Sequence, residues 1–332
     1  MNASLIPVIS VLGILFHFIP NWMRPELFFA VTVDPAFRRT REAANILHWY
    51  RIPLWIGTFA ALAFIAATSS AAYGLFAPAG FLAGFLLAHR RTQPHAVEPS
   101  PIVEIDLAAP QETFPGGSVS ALPPFAALAA LALWAHAHWA NLPGRIPIHW
   151  SFHGPDRFAD RTVANVYSLI VLDAVICLVL LSIAWGIVNW SRRIFTSGSS
   201  AAYERRFRRI NAQMLIAFSY WAAAQGWIAL ALPGVAAPWT EIALTALIVT
   251  TLAFLCYYVL LMVRAARSGA PMGDRTPDAC WKLGIFYINP GDPSLWIPKR
   301  FGIGYTLNFG NRWSWALLGV LLAAVFAKSV LK

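Results

Sequence analysis

The sequence predicts an all-α polytopic membrane protein of about eight transmembrane helices, with a small cytoplasmic β-meander before the last helix. Three observations carry this expectation. Of 332 residues, 58% are hydrophobic and 12% charged, whereas ordinary soluble domains carry about 25% charged residues. Mean hydropathy is +0.58. The apolar residues also come in runs close to the roughly 20 needed to cross a hydrocarbon layer about 30 Å thick.

The runs fall at 3–22, 52–72, 74–89, 123–141, 164–190, 211–232, 241–263 and 313–331. The third is short and broken by Pro78, and 52–89 reads as a tight helical hairpin turning near Tyr73 and Gly74. No Lys or Arg precedes the first run, and Arg24 is the first basic residue. A cleaved signal needs a basic leading region, so the run reads as a retained span. With the N-terminus outside, 20 of the 25 Lys and Arg fall on the inner side, the asymmetry that orients multi-pass proteins. Both termini are then extracytoplasmic, and the expected location is a cell (inner) membrane.

In chain order the expected divisions are five. Residues 1–91 form a three-helix membrane region. The Pro-, Ser- and Gly-rich 92–122 is a flexible cytoplasmic linker with a short strand at Ile102–Leu107. Residues 123–263 make a four-helix core with an outward loop at 142–163, and the arginine-rich 191–210 is a helical connector suited to anionic lipid head groups. In 264–312 the period changes: Lys282–Ile288, Leu295–Lys299 and Gly304–Phe309 read as three strands, turned by Asn289-Pro-Gly-Asp-Pro. So small a unit must rest on the membrane or on other loops. Residues 313–332 are the final helix.

Some functions are disfavoured at once. The net charge of +10 lies in short loops between apolar runs rather than in one basic domain, so no nucleic-acid partner is expected. Cys177, Cys256 and Cys280 offer neither a disulfide framework nor a zinc pair. Phosphate loops, nucleophile elbows and dinucleotide fingerprints are absent. No cofactor is expected.

The loop LPGRIPIHWSFHGPDRFADRT, residues 142–162, is the strongest candidate site. Its turn-rich backbone cannot lie in lipid, where its polar groups would go unpaired. His149 and His153 are four apart, followed by Asp156 and Asp160. On one helical turn two such histidines share a face, as zinc ligands can. Pro147, Gly154 and Pro155 argue against that helix, and no Glu adjoins the first His as the zinc-protease pattern requires, so no metal is expected. Instead His149 and Trp150 settle at the membrane interface, and Asp156 pairs with Arg157 or Arg161 or accepts backbone N–H groups. Ligand contact is assigned to His149, Trp150, His153, Asp156 and Arg157.

Three polar residues inside different spans fall at similar depth below this loop. His136 lies about 7 Å, Gln225 about 10 Å and Asp173 about 13 Å from the outer surface, counting about 1.5 Å per residue. Ionisable groups at that depth face a bundle interior or a wet cavity. These three are expected to line an outward vestibule with the 142–163 loop as its lid, or to form buried hydrogen bonds between helices. His138 points away from His136. Elsewhere, His17 is expected to bond to backbone, Glu241 to sit at an outer span mouth, and Asn211 and Gln213 to satisfy donors at a helix start.

The loop and the span after it resemble SdpI-like membrane proteins, which carry a domain of unknown function. Leu142, Pro143, Ile146, Pro147, His149, Trp150, Gly154, Asp156 and Arg157 match that family's signature one by one. The segment WKLGIFYINPGDPSLWIPKRFGIGYTLNFGN resembles a second uncharacterised segment found near the end of larger members. PELFFAVTVDPAFRRTREAANILHWYR is similar to a further family loop, with Phe29-Ala30-Val31 where that loop has a glycine pattern. The resemblance implies immunity to a secreted peptide toxin and relay of that signal to a cytoplasmic regulator.

The expected function is therefore non-enzymatic recognition of an extracytoplasmic peptide or envelope component, in an immunity or signalling role. A transporter or channel using Asp173 and His136 is the second expectation. A membrane enzyme using His149, His153 and Asp156 is the third.

Overall fold

The computed structural model describes residues 5–68, 70–98, 113–151, 154–191, 198–231, 237–267, 276–302, 304–319 and 322. Seven helices run through them: α1 Leu5–Trp22, α2 Arg41–Thr68, α3 Phe76–Thr92, α4 Leu122–Ala137, α5 Val163–Trp190, α6 Gly198–Ala231 and α7 Ala237–Arg267. A helix also begins at residue 312. Six stretches among the described residues are long and apolar enough to cross a membrane: Leu5–Trp22, Arg41–Thr68, Ala71–His95, Ser118–Ala137, Val163–Trp190 and Tyr203–Ala231. Eight were expected, and six are found among the described residues. Of the other two, α7 has a shorter apolar stretch, Val249–Met262, below spanning length, and 313–331 lies largely outside the described residues.

Only 17–33% of each apolar window is buried. Ile56, Phe59, Leu133 and Val171 are each at least 60% exposed. Water penalises such surface at about 25 cal/mol per Å², so broad apolar faces of this kind belong in lipid.

The chain is not all-α. Antiparallel strand pairs interrupt the helices: β1 Leu27–Phe28 with β2 Val31–Thr32, β3 Arg145–Ser151 with β4 Gly154–Asp160, β5 Trp281–Lys282 with β6 Phe286–Tyr287, and β7 Trp296–Pro298 with β8 Tyr305–Leu307. The expected three-stranded meander is instead two separate hairpins, β5–β6 and β7–β8, touching through one parallel bridge at Tyr287 and Asn308. Asn308 explains the break. Its fully buried side chain donates to the carbonyls of Asn289 and Asp292 and accepts from the N–H of Asn289 and Gly310. Backbone groups that a third strand would have paired are satisfied by this one amide. The short strand expected at Ile102–Leu107 lies outside the described residues.

The chain folds as two compact units built from non-adjacent stretches. The first holds Met1–Ala109, Ser191–Glu204 and Ala265–Trp315; the second holds Pro110–Trp190, Arg205–Arg264 and Ala316–Lys332.

In the first unit α2 and α3 form the expected hairpin, turned by Ala71–Leu75. Their contact is made by glycines. A Cβ at Gly57 would lie 2.4 Å from the Phe76 carbonyl, one at Gly80 2.4 Å from that of Pro53, and one at Gly84 2.4 Å from that of Tyr50. Gly80 and Gly84 are four apart on one helix face, the small-residue spacing that lets helices touch backbone to backbone in lipid. Near one end of this hairpin, Phe28, Phe29, Tyr50, Phe85 and Phe301 share a core. Residues from both ends of the sequence therefore meet there, and the β5–β8 region rests on α2 and α3 as so small a unit must.

The second unit packs α4, α5 and α6 around Leu128, Leu131, Ala135, Val166, Ile170, Cys177 and Ala223. The Trp227 indole donates to the Ala127 carbonyl at 2.9 Å, and the Cys177 thiol to that of Ser219 at 3.2 Å. The arginine-rich connector is not separate: α6 begins at Gly198 and runs 34 residues into the span. Arg208 on it is 2% exposed, so it does not face lipid head groups. Asn211 is consequently mid-helix rather than at a helix start, and it bridges Tyr258 Oη at 2.7 Å to the Phe207 carbonyl at 2.8 Å.

Candidate functional site

The 142–162 motif folds as a β-hairpin, which the sequence reading as a turn-rich loop missed. Arg145, Ile146 and Pro147 pair with Asp160, Ala159 and Phe158; Trp150 and Ser151 pair with Pro155 and Gly154 in the same register. Between them His149 pairs with Arg157, offset by one residue. Each strand thus carries one extra residue, and the two bulges cancel. Bulges re-aim side chains and gather near sites. Pro147 and Pro155 lack the N–H that a regular ladder needs, which is why a bulged ladder forms there.

Three features hold the hairpin. Ile146 is 1% exposed and packs in the α4–α6 core. The Arg161 guanidinium donates to the carbonyls of Trp139, at 2.8 Å, of Ala140 and of Leu142, in the tight turn Trp139–Asn141 and the residue after it, just beyond α4. It also lies over the Trp139 ring, 5.8 Å from the centroid. The Thr162 hydroxyl then accepts from the N–H of Asn165 at 3.1 Å, capping α5. The Asp156 side chain, and with it the pairing considered from sequence, lies outside the described residues.

Arg157 is exposed on β4. Arg145 stacks on the exposed Phe158 at 5.8 Å. His149, Trp150 and Asp156 have strand backbones, so the two-histidine helical face does not exist. Their side chains, and His153 altogether, lie outside the described residues. Among the described residues no group of three potential metal ligands occurs.

Within the helices Asp173 is half-buried. Asp173, Leu128 and Leu131 converge on Gly226, where a Cβ would lie 2.6 Å from Asp173 Oδ2. The carboxylate therefore rests against bare helix backbone between α4, α5 and α6. Gln225 is half-buried one residue away. His136 does not join them. It is exposed near the end of α4, five residues or about 7.5 Å beyond Leu131. His138 is the ordered histidine there: it bonds the Trp134 carbonyl at 3.0 Å and stacks on that ring. His17, expected to bond to backbone, accepts instead from the Trp55 indole at 3.1 Å. Glu241 lies on α7, and its side chain is outside the described residues.

Sequence reasoning missed a second polar centre, in the first unit. Phe29 and Ala30 form the two-residue β1–β2 turn with φ of 43° and 65°, a conformation that normally selects Asn or Gly. The Phe29 carbonyl accepts from His89 Nδ1 at 2.8 Å, and the Ala30 carbonyl from Arg300 at 3.2 Å. Arg300 is 1% exposed. It also binds Asp278, the Thr276 carbonyl and hydroxyl, and the Trp281 ring face. The visible signal was Phe29-Ala30 standing where a glycine pattern was expected.

Residues 125–172 match a family model described as Domain of unknown function (DUF1648), and residues 290–315 match one described as Family of unknown function (DUF5808). No curated protein and no solved structure matches the chain. The first match spans most of α4, the clamped hairpin and the start of α5; the second spans the Asn308 region. Both fit an uncharacterised membrane family.

Proposed function

We propose that this chain is a multi-pass membrane protein that recognises an extracytoplasmic ligand, a secreted peptide or an envelope component, in an SdpI-like immunity or signalling role. One observation carries the reading: a bulged, arginine-clamped hairpin leads directly into α5, which holds the half-buried Asp173 against Gly226. A ligand at Arg145, Arg157 and Phe158, together with His149, Trp150, His153 and Asp156, would pull on a helix whose carboxylate has one tight packing arrangement. Asp173 and Gln225 form the floor of this site; His136 contributes from its rim. The arginine distribution puts the hairpin outside, and the β5–β8 region is the inner output, facing a cytoplasmic regulator.

The test is a challenge assay. Bacteria expressing the chain, or an empty vector, are exposed to a panel of secreted membrane-active peptides. Protection by the wild type, lost in Asp173→Ala and Arg157→Ala at equal membrane abundance, is the expected result. Equal protection by both variants overturns the reading. Asp173 also admits a transporter, because intramembrane carboxylates mark ion paths. Asp173-dependent proton or ion flux in proteoliposomes, without protection, would favour that alternative.

A further inference from the structure

The centre around His89 has no part in that reading. Two adjoining cavities, of about 340 and about 310 Å³, share His89, Gln93, Asp278, Ala279 and Trp281 as walls. Leu86, Arg90, Lys282 and Leu283 complete the larger. His89 is 7% exposed, and its ring is fixed on two sides. A Cβ on Gly284 would lie 2.9 Å from its Cε1 and Nδ1, and the Phe29 carbonyl takes Nδ1. A carbonyl oxygen only accepts, so Nδ1 carries the proton. Nε2 is left as an acceptor, 3.4 Å from the Gln93 amide nitrogen.

The charges converge. Asp278 is neutralised by Arg300, while exposed Arg90 and Lys282 have no ion-pair partner among the described residues. Arg91, the next residue, is occupied over the Trp49 ring at 4.3 Å. The cavity therefore offers two cations, an amide donor and one imidazole acceptor. The carbonyl end of α3 opposes an anion there, but more weakly than one charge-assisted hydrogen bond favours it.

We infer that this cleft binds a phosphomonoester. Arg90 and Lys282 neutralise the phosphoryl oxygens, Gln93 gives up its contact with His89 to donate to one of them, and the freed His89 Nε2 accepts from the P–OH of the singly protonated group. That last contact selects monoesters, because a phosphodiester has no P–OH to donate. The group can come from a soluble ester or from a phosphatidic acid head group, since the cleft lies at the end of a membrane-spanning stretch.

The full chain, in phosphatidylcholine nanodiscs, is titrated with glycerol 3-phosphate by calorimetry. In a second arm the nanodiscs contain phosphatidic acid or phosphatidylglycerol, and bound lipid is counted by native mass spectrometry. Saturable binding of glycerol 3-phosphate identifies a soluble ester; retention of phosphatidic acid alone identifies the lipid. Either supports the site, provided Arg90→Gln with Lys282→Gln weakens it about tenfold or more. Both substituted residues are exposed, so an unchanged melting curve is expected for the variant. Binding of neither probe overturns the inference. So does unchanged affinity in the variant, or phosphatidylglycerol, a diester, held as well as phosphatidic acid.

Discussion

Arg38 and Arg161 solve the same problem on two different helices. Each follows a β-hairpin and reaches back to the end of the preceding helix. Arg38 donates to the carbonyls of Met23 at 3.0 Å, Arg24 at 3.1 Å and Pro20, as Arg161 does beyond α4. Burial lowers the Arg38 pKa, and Glu26 counters that effect; a guanidinium stays charged throughout. Arg38→Ala leaves three carbonyls unanswered and is expected to cost about 1–3 kcal/mol, read as a lower melting temperature in detergent. Arg38→Lys should not restore it, because an ammonium cannot fork across several acceptors. A wild-type melt for Arg38→Ala would mean that the clamp adds nothing to stability. Gly284→Ala is expected to be worse than its size suggests. At φ 72° a left-handed alanine costs about 1–2 kcal/mol, and its methyl would collide with Ala30 and His89 at 2.9 Å. Intrinsic fluorescence melts of the variant measure this directly. Neither arginine's clamping role was legible in the sequence, where Arg38 entered as a topology marker and Arg161 as that and as a candidate partner of Asp156. A capping contact joins residues 14 to 22 apart, and no periodicity carries that information.

Apolar runs were legible because a span needs only length and composition, and six of them are helices of spanning length. Even the short third run, with Pro78 inside it, pairs closely with α2 through Gly57, Gly80 and Gly84. Pro78 sits in the first turn of α3, where a missing N–H costs nothing. The strands were less legible. β1, β2, β5 and β6 have two residues each, too few for alternation to show. The 142–162 hairpin was hidden because its bulges break the period of two. Of the residues expected below it, Asp173 is half-buried and His136 exposed, because counting along a helix gives depth but not rotation about its axis. At this scale the glycine contact gives a clear expectation. Gly80→Leu drives a branched side chain into the Pro53 carbonyl and should separate α2 from α3. A cysteine pair at facing exposed positions on the two helices, crosslinked efficiently in the wild-type background, should then crosslink poorly. Gly74→Ala is the control, since its Cβ would meet nothing closer than 3.7 Å.

The disposition of the whole molecule turns on α7. Between Arg157 and Lys282 the chain runs through α5, α6 and α7. If all three cross the membrane, those residues lie on opposite sides; if α7 does not, they lie on the same side. The arginine distribution favours opposite sides, because it places the basic residues after α7 with the other inner ones. Span length argues the reverse: the apolar stretch Val249–Met262 within α7 is 14 residues, about 21 Å, against roughly 30 Å of hydrocarbon. The helix as a whole has 31 residues, or about 46 Å, so its flanks can complete a crossing. Charge asymmetry acts on every loop during insertion, whereas a short apolar centre is offset by tilting, thinning or snorkelling at modest cost. The crossing should therefore prevail. Single cysteines at Arg157 and Lys282, in a chain whose Cys177, Cys256 and Cys280 are replaced by alanine, are treated with a membrane-impermeant maleimide on intact cells. Cys at 157 should label at once, and Cys at 282 only after permeabilisation. Labelling of both on intact cells would mean that α7 returns to the side it came from. Because Lys282 shares the His89 cleft with the end of α3, and α4 separates that end from the hairpin, such labelling would also require that α4 does not cross.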